Sequence, residues 1–135
     1  MSNYAYVATR ARSRRSRLLP AEAYNQLLNL EHAEIARYIQ DLEYRREIDR
    51  YGSTLSGADL IETALVDNLA KDVGDFLSFS KGKLRDILHV YAEKYRIENL
   101  KNIVRGINQN MDKRNLERLV CPINDSDKEL YNKLY

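Results

Sequence analysis

The residue types that most often perform catalysis or hold a metal ion are scarce in this chain. Its two histidines, His32 and His89, lack the HxxxH or HExxH spacing of a metal-binding helix, and its single cysteine, Cys121, has no partner for a zinc site. A catalytic or metal centre needs several such groups gathered together. We therefore expect structural roles for all three residues and predict no metal site.

Carboxylates occur in close pairs, but no further catalytic group accompanies them. Asp72 and Asp75 are three residues apart, and Asp41 lies two residues before Glu43. Charged residues at these spacings are typical of the solvated face of a helix rather than of a general acid with its base. The sequence therefore predicts no catalytic residue and favours a protein that is not an enzyme.

One short stretch, Lys81-Gly82-Lys83, superficially resembles a phosphate-binding loop. In such a loop a second glycine lies five positions upstream, and a serine or threonine that holds magnesium follows the lysine. Here those two positions are Leu77 and Leu84. We therefore expect no nucleotide at this stretch and predict no cofactor for the chain.

Arginines form the densest charge cluster: Arg10, Arg12, Arg14, Arg15 and Arg17. The first 20 residues contain no acid and carry a charge of +5, so the remainder carries 2 − 5 = −3. A basic segment on a mildly acidic body indicates an anionic partner, which could be a protein, a nucleic acid or a lipid headgroup. Phosphate contacts would make binding strongly salt-dependent. No helix with base-reading polar residues accompanies the cluster, so a protein interface or an internal salt-bridge network is favoured over nucleic-acid binding.

Composition indicates a single all-α domain. The 135 residues include only 5 Gly and 2 Pro, whereas charged residues make up 31% and helix-forming residues are plentiful. A lone cysteine gives no sign of an oxidising compartment. No apolar run approaches the roughly 18 residues that span a bilayer. We therefore expect a soluble chain of cytoplasmic type.

Two long amphipathic helices between residues 59 and 106 organise the predicted fold. Apolar residues recur three and four positions apart, which places them on one face of a helix. Asp59 is the predicted cap of the first long helix, Gly82 its left-handed end, and Ser80 the predicted cap of the second. The apolar register slips in the second helix, so we predict a break around Arg96–Asn99.

Shorter helices are predicted to cover this pair. The patterns indicate helices over residues 3–18, 20–29, 31–44, 115–120 and 127–135, the last capped by Ser126 and anchored by Leu130 and Leu134. Ile48 and Tyr51 either extend the third of these helices or form another short turn. A flexible loop is expected near residues 52–58. We predict one helical lobe over residues 1–122, with residues 123–135 as the start of a truncated following helix or lobe.

Three pieces of the sequence resemble the C subunit of the archaeal and bacterial A/V-type rotary ATPases, whose counterpart in the vacuolar enzyme is the d subunit. The first is Tyr4–Leu19, with Tyr-Ala-Tyr-Val and Arg-Ala-Arg, and the second is Asp59–Leu65. The clearest is Tyr95–Gly106, which is similar to the family segment with Asn-Leu-Lys before a hydrophobic-Arg-Gly ending. Leu119-Val120-x-Pro122 follows it in the expected order.

This resemblance implies an all-helical lobe from a longer, funnel-shaped protein with three similar lobes. It also implies a non-catalytic coupling part on the cytoplasmic face of the membrane, with the rotor ring and the central-stalk subunits as partners. Contact with the membrane would be made only through the ring. The five arginines are then the candidate partner-binding residues. The alternative is a small helical nucleic-acid-binding module that uses the same arginines.

Overall fold

A computed structural model describes residues 3–134 of the chain. Over these residues the chain forms helices and no strands, which confirms the all-α prediction. None of these helices is both long enough and apolar enough to cross a membrane. In chain order they are α1 (Tyr4–Arg15), α2 (Ala21–Leu27), α3 (His32–Gln40), α4 (Arg45–Tyr51), α5 (Gly57–Phe79), α6 (Lys83–Asn108), α7 (Lys113–Arg118) and α8 (Asp125–Asn132).

The described residues fall into two compact units. The first unit holds residues 5–68, and the second holds Asn3, Tyr4 and residues 69–134. Helix α8, which begins after residue 122, packs against α6 within the second unit. The predicted start of a further lobe at residues 123–135 stays a prediction.

The core of the first unit joins three helices. Helix α3 packs against α4, and α5 adds its first turns to the same cluster. The helix predicted over residues 31–44 corresponds to α3, which ends earlier, at Gln40, and the separate short helix α4 begins at Arg45 after a turn. The turn between them lets two short helices face one core. The buried residues of this core are Ala36, Ile39, Ile48, Leu60 and Ala64.

The core of the second unit is built around α6, against which α7 and α8 pack. Ile103 of α6, Val120 and Tyr131 of α8 are its buried residues, and Tyr131 is only 1% exposed. The sequence pattern placed Leu130 and Leu134 as the anchors of the last helix. Leu130 packs against this core as predicted, whereas Leu134 is exposed and Tyr131 is the most deeply buried residue of the helix.

Helix α6 is one continuous helix of 26 residues, so the predicted break around Arg96–Asn99 is wrong. Its buried residues are Ala92, Asn99, Ile103 and Gly106, which lie on a single face. The slip in the apolar register arises because further apolar residues lie on a different, exposed face of the same helix. Because the buried residues and the exposed apolar residues occupy two faces of α6, the apolar pattern is compatible with a continuous helix.

The ends of the long helices differ from the predicted caps. Helix α5 begins at Gly57, so Asp59 lies in its first turn and is not its cap. Gly82 has a φ of 61°, as predicted, but it directly precedes α6. Its ψ of −148° places it in a region that only glycine adopts readily. The Ser80 hydroxyl donates a hydrogen bond back to the carbonyl of Phe76 instead of capping α6.

The last helix also begins earlier than predicted. Its cap is Asn124, whose side-chain oxygen accepts a hydrogen bond from the backbone N–H of Asp127 at 2.8 Å. Ser126, the predicted cap, therefore lies inside the first turn of α8. Asparagine and serine are comparable caps, so the choice between them could not be made from type alone.

Candidate partner interface

The arginine segment, defined as residues 10–17, comprises the last half of α1 and the turn after it. Helix α1 contains no acidic residue, and its basic residues concentrate toward its C-terminus. Positive charge is favourable there because the carbonyl groups at a helix C-terminus carry partial negative charge. Arg14 is half-buried and the other four arginines are exposed.

Arg10 is held against its own helix by an aromatic neighbour. Its Nε and Nη2 atoms donate hydrogen bonds to the Tyr6 hydroxyl at 3.1 and 2.9 Å. Its guanidinium also lies 5.3 Å from the centroid of the Tyr6 ring, a cation–π distance. The conformation of Arg10 is therefore restrained within α1.

Arg17 forms an ion pair within the first unit. Its Nη1 atom lies 3.1 and 3.3 Å from the two carboxylate oxygens of Glu43, in the turn between α3 and α4. About half of each side chain is exposed, so water and salt screen the pair and its contribution to stability is small. Part of the positive charge is thus used internally, as one of the predicted alternatives allowed.

Arg12 and Arg15 differ from the others. Both are exposed, and neither guanidinium group makes a hydrogen bond or ion pair with the described residues. They are three positions apart on α1, a spacing that puts two side chains on the same side of a helix. These two guanidinium groups are therefore the part of the predicted cluster that can bind an anionic partner without breaking an internal contact.

The second unit contains a buried polar cluster that the sequence patterns did not predict as such. The Asn99 amide donates to the Cys121 carbonyl at 2.8 Å, and its oxygen accepts from the Cys121 N–H at 2.9 Å. The same amide also reaches the hydroxyl of Tyr131 at 3.2 Å. Burial raises the pKa of that hydroxyl above its ordinary value. In the sequence, the only indication of this cluster was that Asn99 lies within the Tyr95–Gly106 segment.

A polar cleft of about 220 Å³ lies beside this cluster, between α6 and α8. Arg96 links its two sides, with Nε 3.4 Å from Asp127 and Nη1 3.4 Å from Glu93. The Asp127 side chain is only 6% exposed, so the arginine offsets the cost of burying a carboxylate. His89 lies 3.7 Å from Glu93 at the exposed rim. The ionic groups here pair with one another, an arrangement that suits stability better than acid–base catalysis.

The remaining residues considered for chemistry are dispersed. His32 is exposed at the start of α3, Cys121 is half-buried, and Asp41 pairs with Arg45 at 3.5 Å. Asp72 and Asp75 lie along α5. Within residues 3–134, no three histidine, cysteine, aspartate or glutamate residues converge in a way that could hold a metal ion.

The sequence matches the family described as ATP synthase (C/AC39) subunit over residues 7–135. A relative from Haloferax volcanii, named as the C subunit of an A-type ATP synthase, is 38% identical over 133 residues, which is 98% of this chain. A relative of the same name from Methanosarcina mazei is 42% identical over 78% of this chain, and one from Archaeoglobus fulgidus is 34% identical over 97% of it.

The chain is much shorter than these relatives. It covers 38% of the Haloferax volcanii and Archaeoglobus fulgidus proteins and 29% of the Methanosarcina mazei protein. No solved structure matches the chain. These three relatives are named as C subunits of A-type ATP synthases, and nothing supports the nucleic-acid alternative. With its helical fold and a family match over almost all of its length, the chain belongs to the ATP synthase (C/AC39) subunit family.

Proposed function

We propose that this protein is a non-catalytic adaptor of an A-type rotary ATPase that couples the central stalk to the membrane rotor ring. It would serve the machine either in ATP synthesis or in ATP-driven ion transport. The family match over residues 7–135 is the observation that carries this proposal. The names of the three relatives, each the C subunit of an A-type ATP synthase, point to the same complex.

The physical requirements of such a part agree with what the chain contains. A coupling element must transmit force, so it needs stiff elements with fixed contacts and no acid, base or metal of its own. Helix α6 runs unbroken for 26 residues, a length of roughly 39 Å. The buried Asn99 and the Arg96–Asp127 pair attach the chain after α7 to it.

The proposed partners are the rotor ring and the central-stalk subunits. The protein would sit at the cytoplasmic side of the membrane as a peripheral component and touch the bilayer only through the ring. The arginine segment is the proposed contact with an anionic surface of one of these partners. Within it, Arg12 and Arg15 are the strongest candidates because their guanidinium groups are exposed and make no internal bond with the residues that the structure describes.

Co-sedimentation with membranes that carry an archaeal A-type rotor ring and central stalk tests the proposal. The purified 135-residue chain should sediment with these membranes and not with membranes stripped of the complex. Arg12→Glu/Arg15→Glu should reduce the bound fraction by about tenfold at low salt, because it reverses two contact charges. Arg37→Glu/Arg46→Glu is the matched control, since both of these arginines are exposed in the same unit and the charge change is identical.

Three results would contradict parts of this proposal. Equal sedimentation with stripped membranes would remove the role in the complex. If both double variants lost the same share of the bound fraction, the arginine segment would not be the specific contact. Salt-sensitive retention of duplex or single-stranded DNA by micromolar protein in a shift assay, abolished by Arg12→Glu/Arg15→Glu, would instead restore nucleic-acid binding as the function.

A further inference from the structure

Helix α6 carries an apolar stripe on the side away from its buried residues. Val90, Ile97 and Val104 are 73%, 53% and 66% exposed. They are spaced seven residues apart, so at 3.6 residues per turn they form one nearly straight row of roughly 21 Å. Ile87, 62% exposed, flanks the start of the row. We call this row, from Ile87 to Val104, the outer stripe.

The apolar side chains of the outer stripe are not needed to form the core of the protein, since they are mostly exposed. The members of the stripe contribute little buried surface, and their β-branched side chains favour a helix less than leucine, lysine or glutamate would. An open depression of about 380 Å³ lies along its second half, lined by Ile97, Leu100, Lys101, Val104 and Arg105. Seven-residue apolar spacing with such a depression is typical of a helix that packs against another helix.

Basic residues lie within and beside the stripe. Lys94 and Lys101 occupy the heptad positions between the three apolar residues, and Lys83 and Arg105 lie on the same side of the helix. The acids on this side are Asp86, Glu93 and Glu98, which gives four positive and three negative charges. The Glu98 carboxylate is paired with Lys101 at 2.7 Å, and this bond lowers its pKa. The face is therefore apolar at its centre and net positive.

From this arrangement we infer that the outer stripe of α6 docks an amphipathic helix of another protein, one with acidic residues beside its apolar seam. The apolar row would bury the seam of the partner, and Lys94, Lys101 and Arg105 would pair with its carboxylates. A second copy of this chain fits less well. It would bring Lys94 and Lys101 of both copies into one shared seam, where like charges repel.

This inference goes beyond the proposed function. It concerns a different surface from the arginine segment, and it specifies the chemistry of a partner helix without relying on the rotary ATPase. Membrane co-sedimentation and the binding test described next can therefore fail independently of each other.

A pair of synthetic helical peptides tests the inference on the full 135-residue chain. Both are about 21 residues long, which gives a helix of roughly 31 Å that extends past both ends of the stripe, with leucine and isoleucine at the seam. One carries glutamate beside the seam and the other carries lysine. Binding is measured by fluorescence anisotropy at low and high salt. We expect the glutamate peptide to bind at least about tenfold more tightly than the lysine peptide, and to weaken as salt rises.

Two variants separate the apolar and the charged contributions. Val90→Ser/Ile97→Ser/Val104→Ser leaves every charge in place and should weaken the glutamate peptide by at least about tenfold. Lys94→Glu/Lys101→Glu leaves the apolar row in place and should reverse the preference between the two peptides. Leu18→Ser/Leu28→Ser, which truncates two other exposed leucines, should leave binding unchanged. Circular dichroism checks that each variant retains its helix content.

Several outcomes overturn the inference. One is equal binding of the two peptides, and another is binding that survives the serine substitutions. Failure of the glutamate peptide to bind at up to millimolar concentration would also overturn it. A dimer in analytical ultracentrifugation that forms without peptide and is abolished by the serine substitutions would assign the stripe to a second copy of the chain.

Discussion

Two asparagine side chains each form a pair of hydrogen bonds with the backbone, one donated to a carbonyl and one accepted from an N–H, as a neighbouring strand does in a sheet. Asn99 bonds both the N–H and the C=O of Cys121. Asn3 bonds two different residues across the turn after α5. It donates to the Phe79 carbonyl at 2.7 Å and accepts from the Lys81 N–H at 3.0 Å. A primary amide is suited to this task because it carries a donor and an acceptor side by side. Each asparagine therefore fixes an irregular segment that no helix could satisfy.

Asn99→Ala should destabilise the protein by about 2–4 kcal/mol, because both peptide groups of Cys121 lose their partner and the Tyr131 hydroxyl loses a donor. Urea unfolding followed by circular dichroism measures the change. The matched control is Asn102→Ala, which removes one hydrogen bond, to the Leu119 carbonyl, from a more exposed site on the same helix. The control should cost about 1 kcal/mol or less. Equal losses for the two variants would show that Asn99 has no special role.

Tyr91 and Tyr95 contact each other on α6 through both their hydroxyl groups and their rings. Their hydroxyl oxygens are 3.3 Å apart, and their rings pack edge to face at 5.8 Å. The hydrogen bond shared with Tyr91 is the larger cause, and burial the second, of a pKa of Tyr95 that is raised to about 12. Tyr91→Phe removes the first cause, so the pKa of Tyr95 should fall toward the ordinary value of 10.0. NMR titration of carbon-13-labelled tyrosine Cζ atoms measures it.

The exposed Tyr24 provides the control for this titration. Tyr24→Phe should remove one resonance from the titration and leave that of Tyr95 unchanged. An unaltered pKa of Tyr95 in Tyr91→Phe would mean that burial, and not the hydrogen bond, is the dominant cause.

At the scale of elements, periodicity predicted which segments are helical but not where every helix stops. The rows of apolar residues located α5 and α6 correctly, because three- and four-residue spacing is specific to helices. The same rows suggested a break at Arg96–Asn99, because a single-face pattern was assumed where α6 has two faces. Helix ends were missed where neighbouring residues were equally good caps, as with Asn124 and Ser126.

Gly106 allows α7 to pack closely against the end of α6. A Cβ atom at this position would overlap Cδ2 of Leu116 and lie 3.2 Å from its Cγ, and Leu116 is only 3% exposed. Gly106→Ala should therefore destabilise the protein by about 1–2 kcal/mol, because the overpacking outweighs the helix propensity gained with alanine. Urea unfolding measures the loss.

A double-mutant cycle with Leu116→Ala provides the control for this prediction. With the leucine side chain shortened, Gly106→Ala no longer overlaps it, so the same substitution should stabilise by up to about 1 kcal/mol through helix propensity. The sign should thus reverse between the two backgrounds. Destabilisation of similar size in both would show that the backbone at residue 106, and not Leu116, requires the glycine.

At the scale of the whole molecule, the sequence predicted the fold class and the family, whereas the internal contacts of the arginine segment needed coordinates. Charge alone ranked Arg10, Arg12, Arg14, Arg15 and Arg17 equally. The structure separates them: Tyr6, one helical turn before Arg10, restrains that arginine, and Glu43, 26 positions from Arg17, pairs with it. Only the second of these contacts is remote in the sequence. The outer stripe was visible only in part, since exposure is a property of the folded chain.

Alkaline pH should destabilise the molecule through its buried tyrosine. The pKa of Tyr131 is raised above 10 in the folded state, chiefly by burial, so the unfolded chain loses this proton first as the pH rises. The stabilisation is complete below about pH 10 and is lost between pH 10 and the folded pKa. Tyr131→Phe should therefore show a shallower decline in the free energy of unfolding between about pH 9 and pH 11 than the parent chain.

Urea unfolding at each pH measures this decline. Tyr24→Phe, at an exposed tyrosine, should decline as steeply as the parent. Parallel declines for the parent and Tyr131→Phe would exclude Tyr131 as the source.

The link made by Asn3 has a consequence for the order of folding events. It joins residues that are 76 and 78 positions apart, and the whole first unit lies between them in the chain. Loop-closure entropy disfavours such a long-range contact until the segments around it are already structured. We therefore expect Asn3 to attach after the rate-limiting barrier, so that weakening this link accelerates unfolding and leaves the refolding rate nearly unchanged.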